Sequence, residues 1–351
     1  MNPKVAIIIL NWYGWKDTIE CLESIYQIDY PKYDIIVIDN GSEDESIEKI
    51  KQYCNGKLDV KSDFFTNSTK NKPIKIFEYN RKDIETALKE KEIENLPSNR
   101  KIILIKNEDN YGFAEGNNIG MRYAIKSLNP DYILLLNNDT VVDKNFLHEL
   151  VEVAKNNKIG IVGPKINNYY EPNTIQSIGA KINLWIGGFR TIGENEIDEE
   201  QYNDAFEVDF TIGVALLTKK KVIELVGGLD PIYFANWEET DWCMRIKKKG
   251  FTVVCNPKSK IWHKTSRSLL TFSHERMYFI LRNNIIFMRK NSKIIHLPTF
   301  ILFFSFLRVP SFIFGAFYNN DTKNPIKIMR MVIKAVKDGV TTKIKKTESL
   351  I

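Results

Sequence analysis

The sequence predicts an α/β fold: a doubly wound, mostly parallel sheet flanked by helices, with a helical carboxy-terminal extension. Two observations point to the sheet and a third to the extension. Short uninterrupted apolar runs recur at residues 5–10 (VAIIIL), 34–39 (DIIVID), 102–105 (IILI) and 132–136 (YILLL), as expected of strands buried on both faces. Segments of helical spacing lie between them, so strand and helix alternate. The charge then changes sign. Residues 1–256 hold 32 basic and 40 acidic side chains, residues 257–351 hold 18 and 4, and the net +6 conceals both.

Each element follows from its own pattern. After the first strand, residues 17–26 space Ile19, Leu22, Ile25 and Tyr26 along one helical face. The second strand ends in Asn40-Gly41-Ser42, a turn-and-cap sequence, and a helix follows over 46–53. Residues 54–100 are polar and rich in Lys, Asn and Glu. They carry a strand pattern at 74–79 and a helix pattern at 82–92, and read as an inserted excursion. The third strand leads through a Gly/Asn-rich turn to a helix over 116–127, and the fourth to a helix over 145–155. Residues 167–207 are irregular and rich in Gly and aromatics, a pattern that often covers a site. Strand and helix patterns resume at 210–218, 222–225 and 237–248.

Composition narrows the class. An apolar share of 43% and a charged share of 27% describe a globular chain, which excludes disorder and collagen-like repeats. Cys21, Cys54, Cys243 and Cys255 form no CxxC pair, so a zinc finger or disulfide framework is not expected and a reducing compartment fits. No basic-then-apolar leader precedes the first strand, so no cleaved secretory signal is expected. Residues 297–318 (LPTFILFFSFLRVPSFIFGAFY) are about as long as a bilayer span, but Arg308 and Pro310 interrupt them. They read as a buried helical pair or as a membrane-contacting element. Farther on, Lys323, Lys327, Arg330, Lys334 and Lys337 fall on one helical face, with Ile326, Met329, Ile333 and Val336 as a second stripe and Val332 beside it. A basic amphipathic helix of this kind suits an anionic membrane surface. No nucleic-acid-binding module surrounds it, and nucleic acid is not an expected partner.

Ligands of a parallel sheet bind beyond the carboxyl ends of its strands, near the point where strand order reverses. The polar residues there are Asn11, Asp39, Asn110 and Asn137-Asn138-Asp139. A carboxylate at such an end can accept from a ribose or base, or hold a hard cation that also bridges substrate phosphates. In the segment 110–120 (NYGFAEGNNIG), Gly112, Gly116 and Gly120 allow tight turns and close approach to a ligand. It is neither the dinucleotide GxGxxG nor a Walker loop. Trp237-Glu-Glu-Thr-Asp-Trp-Cys-Met-Arg245 puts Glu238, Glu239 and Asp241 within four residues at a helix start. Asp241 and Arg245 are spaced to pair along the helix, which leaves Glu239 the freer candidate general base. His263, after a later strand, is a candidate for metal or diphosphate contact.

These motifs together resemble family 2 glycosyltransferases of the GT-A fold, in the rhamnosyltransferase-like branch, over roughly residues 4–290. The resemblance rests on Ile36-Val-Ile-Asp-Asn-Gly-Ser42, the 110–120 segment, Leu134-Leu-Leu-Asn-Asn-Asp-Thr-Val-Val142, Val226-Gly-Gly-Leu-Asp230 and Glu239-Thr-Asp-Trp-Cys-Met-Arg245. It implies an inverting hexosyl- or deoxyhexosyltransferase that uses a nucleotide-diphosphate-sugar and a divalent metal (Mg²⁺ or Mn²⁺). Asn11, Asp39, Asn110, Gly112, Asn117, Asn137 and Asn138 would bind the donor. Asn137-Asn138-Asp139 occupies the place of the family's Asp-x-Asp, so metal binding would rest on Asp139 with His263. Glu239 stands where the family base is usually Asp, with Glu238 and Asp241 beside it, and Gly213 resembles part of the acceptor region. The expected division is a catalytic domain over 1–265 and a basic, apolar helical region over 266–351. A polyprenyl-linked glycan would then be the acceptor, at the cytoplasmic face of the membrane. Two competing readings have discriminating features. A nucleotidyltransferase needs a phosphate-binding signature after the first strand, which Asn11-Trp-Tyr-Gly-Trp15 lacks. A degenerate glycan-binding subunit would leave Asp139, Glu238, Glu239, Asp241 and His263 scattered in space.

Overall fold

Alternate residues of the first apolar run face opposite sides of one sheet. Val5, Ile7 and Ile9 join one hydrophobic core and Ala6 and Ile8 the other, all fully buried. The computed structural model describes residues 2–84, 91–264, 274–318, 325–345 and 350. Its elements run β1 (Val5–Asn11), α1 (Trp15–Ile25), β2 (Tyr33–Asp39), α2 (Ser46–Cys54), β3 (Lys75–Asn80), α3 (Arg81–Ile84), α4 (Lys91–Asn95), β4 (Lys101–Lys106), α5 (Gly112–Tyr123) and β5 (Tyr132–Asn137). Next come β6 (Thr140–Val142), α6 (Phe146–Ala154), β7 (Ile159–Asn168), β8 (Ile175–Ser177), β9 (Ala180–Asn183), β10 (Gly188–Thr191), β11 (Phe206–Val208) and β12 (Ala215–Lys219). The chain continues through α7 (Lys220–Val226), α8 (Glu238–Lys248), β13 (Thr252–His263), α9 (His274–Asn291), α10 (Leu297–Phe303), α11 (Val309–Tyr318) and α12 (Pro325–Thr341).

The main sheet has the order β11-β13-β7-β12-β5-β1-β2-β4-β3. From β5 to β3 every pairing is parallel, and β12 enters antiparallel between β5 and β7. Strand order reverses between β1 and β5, where Leu10 pairs with Asn137. That gap is the switch point at which a ligand is expected. The excursion at 54–100 supplies the edge strand β3 and is tied down by a buried carboxylate. Glu23 accepts from Tyr53 Oη (2.8 Å) and the Ser68 amide (2.8 Å) and pairs with Lys72 (3.1 Å). Of the helix expected over 82–92, the described residues form the short α3 and α4, and the centre lies outside them.

Two further expectations change in three dimensions. The turn in segment 110–120 is confined to its start, at Gly112 with φ +78°, because α5 begins there. Gly116 and Gly120 serve packing: a Cβ at Gly116 would meet Leu10 Cδ1 at 2.6 Å, and one at Gly120 would meet Ile8 Cγ2 at 2.7 Å. The run 297–318 is helical through Pro310, with a wider π turn at residues 304–308 just before the proline. It is neither buried nor paired with itself. Phe306, Leu307 and Phe314 are among its exposed side chains.

The boundary placed after residue 265 lies outside the described residues, and α9 beyond it packs as part of the catalytic body. Met277, Leu281, Ile286 and Phe287 share a buried cluster with Tyr233 and Trp237, the residues leading into α8. On α12, Ile328, Val332 and Ala335 face inward, whereas Ile326, Met329 and Ile333 stay exposed. The second stripe read from sequence is therefore mostly an outer one. Among the basic positions, Lys327, Arg330, Lys334 and Lys337 are exposed, and Lys323 lies outside the described residues.

Candidate active site

The switch point is floored by asparagines. Asn11 ends β1 level with Asp39 on β2, and its amide donates to Asp39 Oδ2 at 2.7 Å. Asp39 Oδ1 accepts from the Ser42 amide at 3.0 Å, and Thr18 Oγ1 donates to Asn11 Oδ1 at 2.8 Å. Asp39 is therefore buried, with both oxygens engaged inside the protein. Asn138 donates to Thr18 Oγ1 at 3.0 Å, which joins the end of β5 to the same network. On the β2 side, Asn40 donates to Asn110 Oδ1 at 2.8 Å, and Asn110 Oδ1 also accepts from the Gly112 amide at 2.9 Å. Gly112 has φ +78°, and a Cβ there would lie 2.6 Å from the Phe234 carbonyl oxygen. Asn117 does not join this rim. It is buried inside α5 and donates back to the Phe113 carbonyl at 2.9 Å.

Past β5 the chain turns so that Asp139 meets the end of β13. His263 Nε2 lies 3.1 Å from Asp139 Oδ1, and His263 Nδ1 lies 3.0 Å from Gln176 Oε1. The ring thus sits between the Gln176 amide at Nδ1 and the Asp139 carboxylate at Nε2. Burial alone would raise the Asp139 carboxyl, but the His263 ring, its own backbone N–H and the Lys264 charge hold it below the ordinary range.

Facing this pair is the start of α8. Residues 234–237 carry three positive φ values: Phe234 at 63°, Asn236 at 68° and Trp237 at 77°. L-residues rarely adopt them, so surrounding structure must hold the loop. The Asn283 side-chain amide on α9 does so by donating to the carbonyls of Tyr233, Ala235 and Asn236 at 2.7, 2.8 and 2.9 Å. The loop delivers Glu238 and Glu239 into a cavity of about 340 Å³ that is also lined by Asn137, Asp139, His263 and Arg276. Burial pushes both glutamate carboxyls up, and the Glu239 charge raises Glu238 further. Backbone N–H groups of Glu239 itself, Thr240, Gly213 and Trp237 partly offset this for Glu239. Gly213 is close enough that a Cβ there would stand 3.4 Å from the Glu239 carboxyl carbon.

Asp241 is turned away from the cavity. It is fully buried and bonds Arg245 Nε (2.8 Å), Lys290 Nζ (3.0 Å), Asn291 Nδ2 (2.9 Å) and Tyr233 Oη (3.1 Å). Burial would raise its carboxyl, yet the Arg245 and Lys290 charges and the Arg245 and Asn291 hydrogen bonds hold it below the ordinary range. It anchors α8 to α9, as its spacing from Arg245 suggested in part. Gln176, Arg276 and Asn283 went unread in the sequence. Each reaches the site across a long chain separation and belongs to no local pattern.

The sequence profile described as "Glycosyl transferase family 2" matches residues 5–73, and that described as "Glycosyltransferase like family 2" matches residues 75–278. The chain is a family 2 glycosyltransferase. Among curated relatives of this glycosyltransferase, the dTDP-rhamnosyl transferase RfbF of Shigella flexneri is 25% identical over 257 residues, which is 68% of this chain and 79% of RfbF. The low-salt glycan biosynthesis hexosyltransferase Agl10 of Haloferax volcanii is 27% identical over 144 residues. That match spans 41% of this chain and less than half, 46%, of Agl10. Among solved structures, the mannosyltransferase PcManGT of Pyrobaculum calidifontis, in complex with GDP-Man and Mn²⁺, aligns with a TM-score of 0.53 at 12% identity over 98% of this chain and 77% of its own. TarS 1–349 of S. aureus, in complex with UDP-GlcNAc, aligns with a TM-score of 0.54 at 13% identity over 96% and 80%. These likenesses place the glycosyltransferase in the GT-A fold, as its α/β sheet suggested.

Proposed function

We propose that the chain is an inverting, divalent-metal-dependent transferase that moves a sugar from a nucleotide-diphosphate-sugar to a hydroxyl of a lipid-linked glycan. The observation that carries this reading is the convergence of Glu239, Asp139 and His263 on one cavity at the switch point of the sheet. Dispersed groups would have favoured a non-catalytic subunit. The printed ligands of the structural neighbours, GDP-Man with Mn²⁺ and UDP-GlcNAc, support the donor class.

Asp139 and His263 would hold the metal. The described residues contain no cluster of three or more His, Cys, Asp or Glu. Two protein ligands suit a hard cation that keeps waters and arrives with substrate phosphates, rather than one in an all-protein cage. When bound, such a cation offsets the negative charge growing on the departing diphosphate. Gln176 aims His263 Nε2, and Asn11, Asp39 and Asn138 shape the floor beneath the nucleoside half. Glu239, whose carboxylate receives four backbone N–H groups, takes the proton from the acceptor hydroxyl. The acceptor oxygen bonds the anomeric carbon from one side as the bond to the diphosphate oxygen breaks on the other, which inverts that centre.

The acceptor half of the reading rests on the carboxy-terminal surface. Residues 294–315 form a 22-residue helical run of mean hydropathy 1.7, most of it exposed. Beside it in sequence, α12 presents Lys327, Arg330, Lys334 and Lys337 next to exposed Ile326, Met329 and Ile333. Apolar and basic groups on one exterior fit an anionic cytoplasmic leaflet, with the run lying in its plane. Arg308 ties the run to the folded body through the Gly187 carbonyl (2.6 Å) and Asn284 Oδ1.

A thermal-shift screen of nucleotide-sugars with Mn²⁺ or Mg²⁺ tests the donor and metal parts. At least one should raise the melting temperature, and chelation should abolish the effect. No stabilisation by any nucleotide-sugar in either metal would sink the reading.

A further inference from the structure

Both residues offered to the metal are tethered at the backbone. The Asp139 carbonyl accepts from the Lys264 amide at 2.9 Å, and the His263 carbonyl accepts from the Tyr169 amide at 3.1 Å. The side chains of these two tethers then meet on helix α1. Tyr169 Oη donates to Glu20 Oε1 at 2.7 Å, and Lys264 Nζ pairs with Glu20 Oε2 at 2.5 Å and with Asp17 Oδ1 at 2.5 Å. Lys264 Nζ also lies 4.9 Å from the centre of the Tyr169 ring. The contacts close a ring that leaves Asp139, passes through Lys264, Glu20 and Tyr169, and returns at His263. The next residue on α1 braces the strand beside it. Cys21 Sγ lies 3.5 Å from Thr140 Oγ1, and Thr140 pairs with His263 across β6 and β13. Glu20 is 5% exposed, so its carboxylate depends on the partners that engage both of its oxygens. Glu20, Tyr169 and Lys264 do not line the cavity that holds Asp139 and His263, so what they do there is done through those two residues.

We propose that Glu20 is a positioning residue for the metal site, and that it sets the placement of Asp139 against His263 through Lys264 and Tyr169. The inference rests on the reading of Asp139 and His263 as the metal-holding pair. A cation held by two protein groups has few protein contacts to define its place, and the outer partners of such ligands govern about 10–100-fold in affinity. Charge and position predict opposite outcomes for Lys264. Its ammonium is one of the charges that hold the Asp139 carboxyl down, so by Coulomb's law alone it repels a dication and its loss should tighten metal binding. Neutralising it also leaves Asp17 and Glu20 without their cation, which pushes the Coulombic expectation further the same way. Loss of a positioning tether loosens metal binding instead.

The test titrates the full chain with Mn²⁺, alone and with UDP, GDP or dTDP, and reads free Mn²⁺ by electron paramagnetic resonance against nucleotide blanks. Lys264→Met keeps the length of the side chain and the amide that serves Asp139, and removes the charge. Its Mn²⁺ affinity should fall about tenfold or more. Tighter or unchanged binding would overturn the assignment. Tyr169→Phe removes one hydroxyl and alters no charge, so a fall in its Mn²⁺ affinity has no Coulombic source. That fall is expected, and its loss combined with Glu20→Gln should be less than additive, as for groups of one network. Unchanged affinity in Tyr169→Phe counts against the ring, and this variant decides alone if Lys264→Met does not fold. Nucleoside diphosphate affinity without metal should be the same in the variants and the wild type. An equal loss with and without metal would mark a general structural role and overturn the proposal. Failure of the wild-type chain to take up Mn²⁺ under any of these conditions strikes the metal reading itself, and this assignment with it. Normal uptake by the wild type with insensitive variants strikes the positioning role alone.

Discussion

The Asn283 side-chain amide donates to the Tyr233 carbonyl at 2.7 Å, joining helix α9 to the loop that delivers the glutamate pair. The same nitrogen serves Ala235 and Asn236, so one side chain satisfies three carbonyls of a loop with positive φ values. Asn283→Ala should cost about 1–3 kcal/mol of stability, because buried carbonyls lose their donor. It should also lower kcat more than donor affinity. Denaturant melts and steady-state kinetics check both, and an unchanged kcat would reduce Asn283 to a fold residue.

Glu239→Gln keeps the shape of the side chain and removes its basicity. Transfer should fall about 10²–10⁴-fold while nucleotide-sugar binding persists. Full transfer activity in this variant would remove Glu239 from the mechanism.

The glutamate pair also sets a pH dependence. Burial raises both carboxyls, so the acid limb of kcat/KM should lie above the ordinary carboxylate range, with activity rising as Glu239 ionises. For stability the sign is the reverse. A carboxyl raised in the folded state contributes stability below its unfolded pKa and loses it as pH rises through the folded value. Glu238→Gln fixes the neutral form, so its melting temperature should exceed that of the wild type increasingly as pH rises. A gap independent of pH would contradict this.

Asp139→Asn removes the charge that pairs with His263 while keeping the size of the side chain. The melting-temperature rise given by nucleotide-sugar with Mn²⁺ should disappear, and the ligand-free melting temperature should fall somewhat at neutral pH, because the depressed Asp139 carboxyl contributes stability there. Retention of the full metal-dependent rise would move the metal elsewhere.

The exposed apolar run predicts a membrane phenotype. Phe306→Asp with Leu307→Asp should reduce pelleting with phosphatidylglycerol vesicles and leave nucleotide-sugar binding intact. Replacing Lys327, Arg330, Lys334 and Lys337 with Gln should remove about 1 kcal/mol of attraction per residue. It should also flatten the salt dependence of binding. Undiminished pelleting in both variants would dissociate this surface from the membrane.

Much of this was legible before any coordinates, and unevenly so. The strands were plain because burial on both faces leaves uninterrupted runs such as VAIIIL. The places of Asn11, Asn137 and Asp139 at or just past strand ends were legible because the apolar runs stop there. The neighbouring spacing of Asp241 and Arg245 already suggested their ion pair. Asn117 was misplaced: a glycine-rich stretch suggested a ligand loop, whereas its glycines let a helix press against Leu10 and Ile8. Gln176 and Asn283 gave no signal, since a single amide reaching 87 or 50 residues along the chain leaves no periodicity.

The amide of Asn283 has one more implication, for modularity. The second of the two family profiles ends at residue 278, short of Asn283, Asn284, Lys290 and Asn291. Yet those four residues hold the loop before the glutamates, the tip of the β9–β10 hairpin, and Asp241. The brace that holds the glutamate loop thus lies beyond the matched region, and a chimera joined at its end would carry the loop without the residues that aim it.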